Sequence, residues 1–202
     1  MSEARKPEVK AIKCGRLIDG TGAEPVENAT VVIVGSKIKA VGKDMDIPKG
    51  ARVIDATGKT VMPGLIDSHV HHFGPKTGVL AETLIRPREL GLIKSIYDSK
   101  SALGAGFTTV KDCGGMNAVF LKKAVAEGTL SGLPRIIAAG PMLSQTYGHT
   151  DMHSFPLECV DMRTSRHGRP SLLCDGVPEC IKATRYALRQ GADFIKVMTT
   201  GG

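Results

Sequence analysis

Residues 62–73 have the sequence MPGLIDSHVHHF, a short apolar run that follows a Pro-Gly turn. Such a run indicates a buried β-strand, in which successive side chains point to opposite faces. Leu65, Asp67, His69 and His71 would then share one face. Two imidazoles at the end of a strand are good ligands for a divalent metal, although a bare His-x-His can also be a chance polar cluster on the surface.

The composition is typical of a folded chain with one large or two small domains. Of its 202 residues, 42% are hydrophobic, 23% are charged and 4% are aromatic, so its core must be aliphatic. The net charge of +7 comes from scattered residues without interleaved aromatics, which argues against nucleic-acid binding. The densest basic stretch, residues 163–169, fits either a solvated loop or the rim of a carboxylate or phosphate site.

Cysteine usage and apolar runs indicate a cytoplasmic protein. The five cysteines form no Cys-x-x-Cys pair and are odd in number, so a disulfide framework is not expected. Residues 1–13 are polar and do not resemble a signal peptide. No apolar run approaches the ~18 residues that a membrane span needs, so we expect no membrane partner.

Short apolar runs separated by Gly-rich turns fill residues 9–61, and no helical period occurs there. The runs 29–34 and 37–41 flank a Gly-Ser pair, which predicts a β-hairpin. We therefore expect residues 1–61 to form a small β-sandwich-like domain whose turn glycines are structural.

After residue 62 the pattern changes to alternating strands and helices, which predicts an α/β fold. We predict strands over 62–71, 107–111, 135–139 and 193–198, helices over 88–104, 117–127 and 175–190, and a long polar segment over 140–173. This alternation implies parallel strands joined by right-handed crossovers. A (β/α)8 barrel needs eight such units and about four are visible, so residues 62–202 are expected to form the first half of a TIM-like barrel.

Lys196 lies in the apolar run FIKVM of residues 194–198, and its parity places it toward the barrel interior. A buried ammonium is costly, so the amine could be a base, a nucleophile or the site of a carbamate that bridges two metal ions. Alternatively, the side chain reaches the barrel rim or pairs with Asp193 or Glu179.

The segment YGHTDMH, residues 147–153, follows the third predicted barrel strand, where loops line the active face of a barrel. Three interpretations stay open. The segment is a further metal site of His149, Asp151 and His153, or a surface on which Tyr147 and His149 contact substrate, or a solvated loop.

Three other residues could act near such a site. Cys113 is either a nucleophile beside a helix start or a small structural residue at the site floor. Asp67 lies deeper than the histidines and is expected to support the ligands rather than bind the metal. His167 is expected at the surface or rim.

Three motifs in order resemble the amidohydrolase superfamily, in particular its branch of imidazolonepropionase-like proteins and metal-dependent Xaa-Pro or Xaa-Arg/Lys dipeptidases. They are residues 62–71, GFTTVKD at 106–112 and GADFIKV at 191–197. The resemblance implies a (β/α)8 barrel with a small β domain. It also implies that His69 and His71 bind one metal, and that Lys196 is N6-carboxylated, bridges two divalent ions and takes part in catalysis. Zinc is expected, with manganese, cobalt or iron as alternatives.

The resemblance further implies two histidines and a proton-shuttling aspartate after strands five, six and eight, which lie beyond residue 202. We therefore expect the N-terminal half of a hydrolase that cleaves amide bonds of dipeptides or N-acyl amino acids. A deaminase or cyclic-amide hydrolase of the same superfamily is an alternative, and so is a truncated, non-catalytic interaction module. Because half a barrel exposes sheet edges, we expect a homo-oligomer.

Overall fold

The computed structural model describes residues 7–72, 82, 86–161, 163 and 171–201. The chain divides into two compact units, Met1–Pro63 and Gly64–Gly202. Among the described residues, no helix is long and apolar enough to cross a membrane.

The first unit is a four-stranded β-sheet with the strand order β3-β2-β1-β4. Its strands are β1 (Val9–Leu17), β2 (Val26–Val34), β3 (Lys37–Lys43) and β4 (Arg52–Val61). Strand β1 is antiparallel to β2 and parallel to β4. The predicted hairpin is confirmed, because β2 and β3 are antiparallel and Gly35 in their turn has a φ of 61°.

Between residues 7 and 63 the strands form one sheet rather than the two layers of the predicted β-sandwich-like domain. The sheet buries a small apolar cluster that includes Cys14, Leu17 and Val31. Residues 9–17, which the sequence divides into two short apolar runs around Gly15, form the single strand β1. Its pairing with β4 has an irregularity between Cys14 and Arg16. A bulge of this kind breaks the alternation on which the prediction relied.

The second unit begins with three parallel strands, which confirms the predicted alternation in this region. They are β5 (Leu65–Val70), β6 (Phe107–Asp112) and β7 (Arg135–Ala138), in the order β5-β6-β7. Helix α1 (Arg88–Gly104) precedes β6, and helix α2 (Met116–Ala126) precedes β7. The core between sheet and helices is aliphatic, as the composition predicted, and centres on Val110, Val119 and Leu121.

The predicted polar segment 140–173 is more regular than expected. It contains β8 (Met142–Ser144), the short helix α3 (Leu157–Val160) and β9 (Ser171–Leu173). Strands β8 and β9 form a separate two-stranded parallel sheet, on which helix α4 (Gly176–Gln190) packs. Elements of three or four residues are too short to show a hydrophobic period, so the sequence did not reveal them.

Helix α4 ends as predicted, with Gly191 in a left-handed conformation at φ 107°. Asp175, where the helix was predicted to begin, is the N-cap residue just before Gly176. Its carboxylate does not cap the helix but accepts hydrogen bonds from the backbone N–H and the hydroxyl of Thr146. That carboxylate therefore ties the start of α4 to the loop after β8.

The predicted strand 193–198 is correct in position and wrong in extent. Its one bridge in the described structure joins Val197 to Leu143 of β8 in parallel. Leu143 donates its N–H to the carbonyl of Lys196 at 2.9 Å and accepts one from Met198 at 2.8 Å. In the second unit, the described strands form one sheet of three strands and one of two. Only β5-β6-β7 therefore corresponds to the expected continuous half barrel.

Candidate metal centre

His69 and His71 lie together at the carboxyl end of β5. Their ring centroids are 5.2 Å apart with an angle of 63° between the planes. Both side chains are exposed, and the alternation of the strand brings them to one face. Asp67 supports this end of the strand, because its Oδ1 accepts the backbone N–H of His69 at 3.0 Å.

The surroundings of His71 favour the neutral form of its imidazole over the charged form. Partial burial lowers its pKa, and the charges of His69 and Lys196 lower it further, whereas the contact with Gly114 and the charge of Asp112 act in the opposite direction. The Nδ1 atom of His71 lies 3.3 Å from the carbonyl oxygen of Gly114. A neutral imidazole is the form that binds a metal ion.

Lys196 is half-buried, and its positive charge acts to lower the pKa of His71. The two carboxylates that were considered as its ion-pair partners are engaged elsewhere. Asp193 binds Lys122, with both oxygens 2.8 Å from Nζ. Glu179 accepts the backbone N–H of Asp175 at 2.8 Å.

The loop 147–153 is organised around Asp151, which is 7% exposed and accepts the N–H of Tyr147 at 2.7 Å. Tyr147 has a φ of 60°, is 72% exposed and stacks on His153 with the ring centroids 4.6 Å apart. The N–H of His149 donates to the carbonyl of Thr200 at 3.2 Å, so this loop lies beside the segment that follows Lys196.

The described part of the chain contains no group of three His, Cys, Asp or Glu side chains that could hold a metal ion. This result argues against a metal site in the loop 147–153, whereas substrate contact by Tyr147 and His149 stays a prediction. His69 and His71 fit one divalent ion in donor chemistry, whereas a carboxylated Lys196 as a further ligand stays a prediction.

The other residues singled out in the sequence are Cys113, the basic stretch 163–169 and His167. Cys113 is 5% exposed, and its Sγ lies 3.8 Å from the carbonyl of Ser68, as expected of a small residue beneath the site. Arg163, at the start of the basic stretch, binds Asp161 at 2.6 Å, and this hydrogen bond raises the pKa of its guanidinium. His167 lies outside the described residues.

Two features were missed at the sequence level. His72 and Asp112 form a buried pair on the helix side of the sheet, with Nδ1 and Oδ2 2.8 Å apart. Lys111 places its Nζ 4.3 Å from the ring centroid of Phe194. Lys111 and Asp112 end the apolar strand β6, and this position was the one available signal, but it does not reveal the burial of Asp112 or the partner of either residue.

Comparisons with known proteins agree with this architecture. A model described as the amidohydrolase family matches residues 60–202. Ochratoxinase from Aspergillus niger is 35% identical over 216 residues, which cover 96% of this chain and 43% of that protein. Dihydroorotase from Lactobacillus helveticus is 38% identical over 120 residues, or 57% of this chain and 25% of that protein.

Solved structures show the same similarity. The crystal structure of A. niger ochratoxinase matches with a TM-score of 0.84 and 31% identity over 98% of this chain and 48% of the other. A prolidase complexed with N-methylphosphonate-L-proline matches with a TM-score of 0.82 and 35% identity, covering 96% of this chain and 47% of the other. The chain spans less than half the length of these relatives. Because the family match extends over more than half of its residues, the chain belongs to the amidohydrolase family.

Proposed function

We propose that a protein built on this chain hydrolyses the C–N amide bond of dipeptide-like or N-acyl amino acid substrates at a divalent metal centre. The observation that carries this proposal is the pair of imidazoles of His69 and His71 at the end of β5, whose ring centroids lie 5.2 Å apart. Relatives support the substrate class, since one is a prolidase bound to a proline derivative and another is a Xaa-Pro dipeptidase with bound methionine.

In this proposal His69 and His71 hold one metal ion, and N6-carboxylated Lys196 bridges it to a second. We expect zinc, with manganese, cobalt or iron as alternatives. When bound, a divalent metal supplies Lewis-acid polarisation of a carbonyl and an activated water. Carboxylation would turn the amine of Lys196 into an anion with two oxygens, which suits it to hold two cations.

The chain's own residues also prepare the substrate side of the site. Asp151 fixes the backbone of Tyr147, so its exposed ring keeps one orientation against His153. His149 is exposed, and its backbone is anchored to the segment after Lys196. We propose that Tyr147 and His149 contact the substrate, which orients its amide bond toward the metal ligands.

The test is an assay of the full-length protein against a panel of dipeptides and N-acyl amino acids after reconstitution with Zn²⁺ or Mn²⁺. We expect turnover in the wild type, a loss of at least ~100-fold in kcat/KM for His71→Asn or Lys196→Ala, and wild-type rates for Lys100→Ala, a surface lysine. No turnover of any substrate with bound metal would refute the proposal.

The match to dihydroorotase favours a second candidate, a cyclic-amide hydrolase or deaminase of the same family. Metal analysis separates mononuclear from binuclear sites. A binuclear site predicts about two metal ions in the wild type and fewer in Lys196→Ala, because the bridge is lost. One metal ion in both the wild type and Lys196→Ala favours a single-metal deaminase. Turnover of cyclic amides but not of dipeptides or N-acyl amino acids favours a cyclic-amide hydrolase.

A non-catalytic interaction module is the remaining alternative, and it predicts a folded protein that binds neither metal nor substrate. We also propose that the chain forms a homo-oligomer, because β5 lies at the edge of the described three-stranded sheet and its residues Leu65 and Ile66 are 42% and 68% exposed. Light scattering coupled to size-exclusion chromatography measures this directly. A monomer at all concentrations would contradict this part of the proposal.

A further inference from the structure

A buried polar cluster lies on the helix side of β5 and β6, away from the proposed ligands. It consists of His72, Asp112, Ser95 and Asn117, and we call it the Asp112 cluster. Asp112 is fully buried, and Ser95 and His72 are almost so. Buried polar groups are kept in folded proteins only when they are satisfied, so the bonds within this cluster strongly constrain its geometry.

Asp112 accepts hydrogen bonds on both oxygens. Its Oδ2 lies 2.7 Å from the backbone nitrogen of His72 and 2.8 Å from Nδ1 of the same residue. Its Oδ1 accepts the backbone N–H of Gly114 at 3.0 Å. One carboxylate therefore holds both the residue that follows His71 and the residue whose carbonyl meets His71.

The peptide of His72 is also held from its carbonyl side. That carbonyl accepts a hydrogen bond from Asn117 Nδ2 at 3.1 Å and one from the hydroxyl of Ser95. Asn117 Nδ2 also donates to Ser95 Oγ at 2.9 Å. Helices α1 and α2 thus fix the backbone immediately after His71, which restricts where its imidazole can lie.

Gly114 completes the connection to the metal centre. Its carbonyl oxygen lies 3.3 Å from Nδ1 of His71. A carbonyl only accepts hydrogen bonds, so this contact favours a proton on Nδ1, and a neutral imidazole protonated there has its lone pair on Nε2. The position requires glycine, because a Cβ at Gly114 would lie 2.3 Å from Sδ of Met142 and φ is 153°.

We propose that Asp112 is a positioning residue of the metal centre. Through His72 and Gly114, it holds His71 in the Nδ1–H tautomer and directs Nε2 to the metal. Free neutral histidine prefers the opposite tautomer, in which a proton occupies the nitrogen that must bind. Loss of such a supporting partner typically weakens metal binding about 10–100-fold. The metal part of this inference rests on the proposed function, whereas the tautomer is a property of the metal-free chain.

Histidine-labelled samples of the 202-residue chain test the tautomer by long-range ¹H–¹⁵N NMR without metal at about pH 8, which is above the ordinary imidazole pKa of about 6.5. A His71→Asn variant assigns the signals. We expect the Nδ1–H form of His71 in the wild type, and a shift toward the Nε2–H form in Asp112→Asn and His72→Leu. His72→Asn can still donate a hydrogen bond to Asp112 and is expected to keep the wild-type tautomer.

Zinc affinity, measured by competition with a chromophoric chelator, is the second readout. We expect Asp112→Asn and His72→Leu to bind zinc about 10–100-fold more weakly than the wild type, and His72→Asn to stay within about threefold. Amide spectra confirm folding of each variant, and His72→Leu replaces Asp112→Asn if the latter does not fold.

Four outcomes separate the two levels of this inference. An Nε2–H tautomer of His71 in the wild type overturns it, and so does an unchanged tautomer in folded Asp112→Asn and His72→Leu. Weaker zinc binding with an unchanged tautomer also overturns it, because the effect would then be merely structural. The expected tautomer in a chain that binds no zinc supports control by Asp112 and counts against the proposed function instead.

Discussion

The clearest prediction concerns Asp193, which begins the segment that carries Lys196. Its Oδ2 accepts the backbone N–H of Ala138 at 2.9 Å, and its own N–H donates to the carbonyl of Ala138 at 2.7 Å. Lys122 binds both carboxylate oxygens and also donates to the carbonyl of Gly191 at 3.0 Å. Asp193→Ala removes the bond to the Ala138 N–H and the ion pair, and keeps the backbone bond.

The magnitude follows from these two losses. A hydrogen bond to a charged group contributes about 1.5–3 kcal/mol, and leaving the Ala138 N–H without its partner makes the upper end apply. The ion pair with Lys122 is partly exposed, so it adds only about 0.2–1 kcal/mol. We therefore expect Asp193→Ala to lower the free energy of unfolding by about 3–4 kcal/mol. Asp193→Asn keeps an acceptor for Ala138 and should cost about 1 kcal/mol.

Urea unfolding monitored by circular dichroism measures these changes, and Lys122→Met and the double variant complete a mutant cycle. Asp98→Ala is the matched control, since it breaks an i,i+4 pair with Lys94 at the helix surface and should cost at most about 0.5 kcal/mol. If Asp193→Asn destabilises the chain as much as Asp193→Ala, the charge and not the bond to Ala138 is responsible, and the reasoning fails.

Three further predictions use the same chain. Burial raises the pKa of the Cys174 thiol to about 11, so only about one molecule in a thousand carries the Cys174 thiolate at pH 8. Mass spectrometry should therefore find that iodoacetamide labels Cys174 far more slowly than the half-buried Cys159. The folded pKa of His71 lies below its usual 6.5, so the stability that its neutral form contributes is present above about pH 6.5 and is lost as the pH falls through the folded value. His71→Asn should therefore lose less stability than the wild type on acidification, and urea unfolding at several pH values measures this difference. Gly191→Ala should cost more than Gly128→Ala in thermal unfolding, because only at Gly191 does the new Cβ meet a neighbour, Val119, at 3.3 Å; equal costs would contradict this.

Long periodic elements were predictable from the sequence, and short ones were not. The helix predicted over 88–104 is α1 at the same bounds, because its apolar residues recur near a period of 3.6 over seventeen residues. Strands β8 and β9 have three residues each, and their pairing depends on contacts between distant parts of the chain. No local pattern encodes that pairing, so the two-stranded sheet appeared only in three dimensions.

The site was predictable to the same extent. Alternation along β5 correctly placed His69 and His71 together, whereas the placement of Lys196 from the parity of residues 194–198 stays a prediction. The role of Asp112 was hidden because a charged residue at a strand end is usually solvated. Asp112 is buried in a cluster with His72, Ser95 and Asn117, and the hydrogen-bonded partners in this cluster are separated by 22 to 45 residues along the chain.

Two carboxylates bond to the backbone beside the proposed metal ligands. Asp112 holds the backbone around His71, and Asp193 holds the start of the segment that carries Lys196 against β7. Each bonds to backbone N–H groups at a strand end, where regular sheet pairing stops and the chain would otherwise be free to move. A shift of either segment would change the separation of His71 and Lys196 without altering any ligand. Substitution at Asp193 should therefore weaken metal binding as well as stability, whereas Asp98→Ala should change neither.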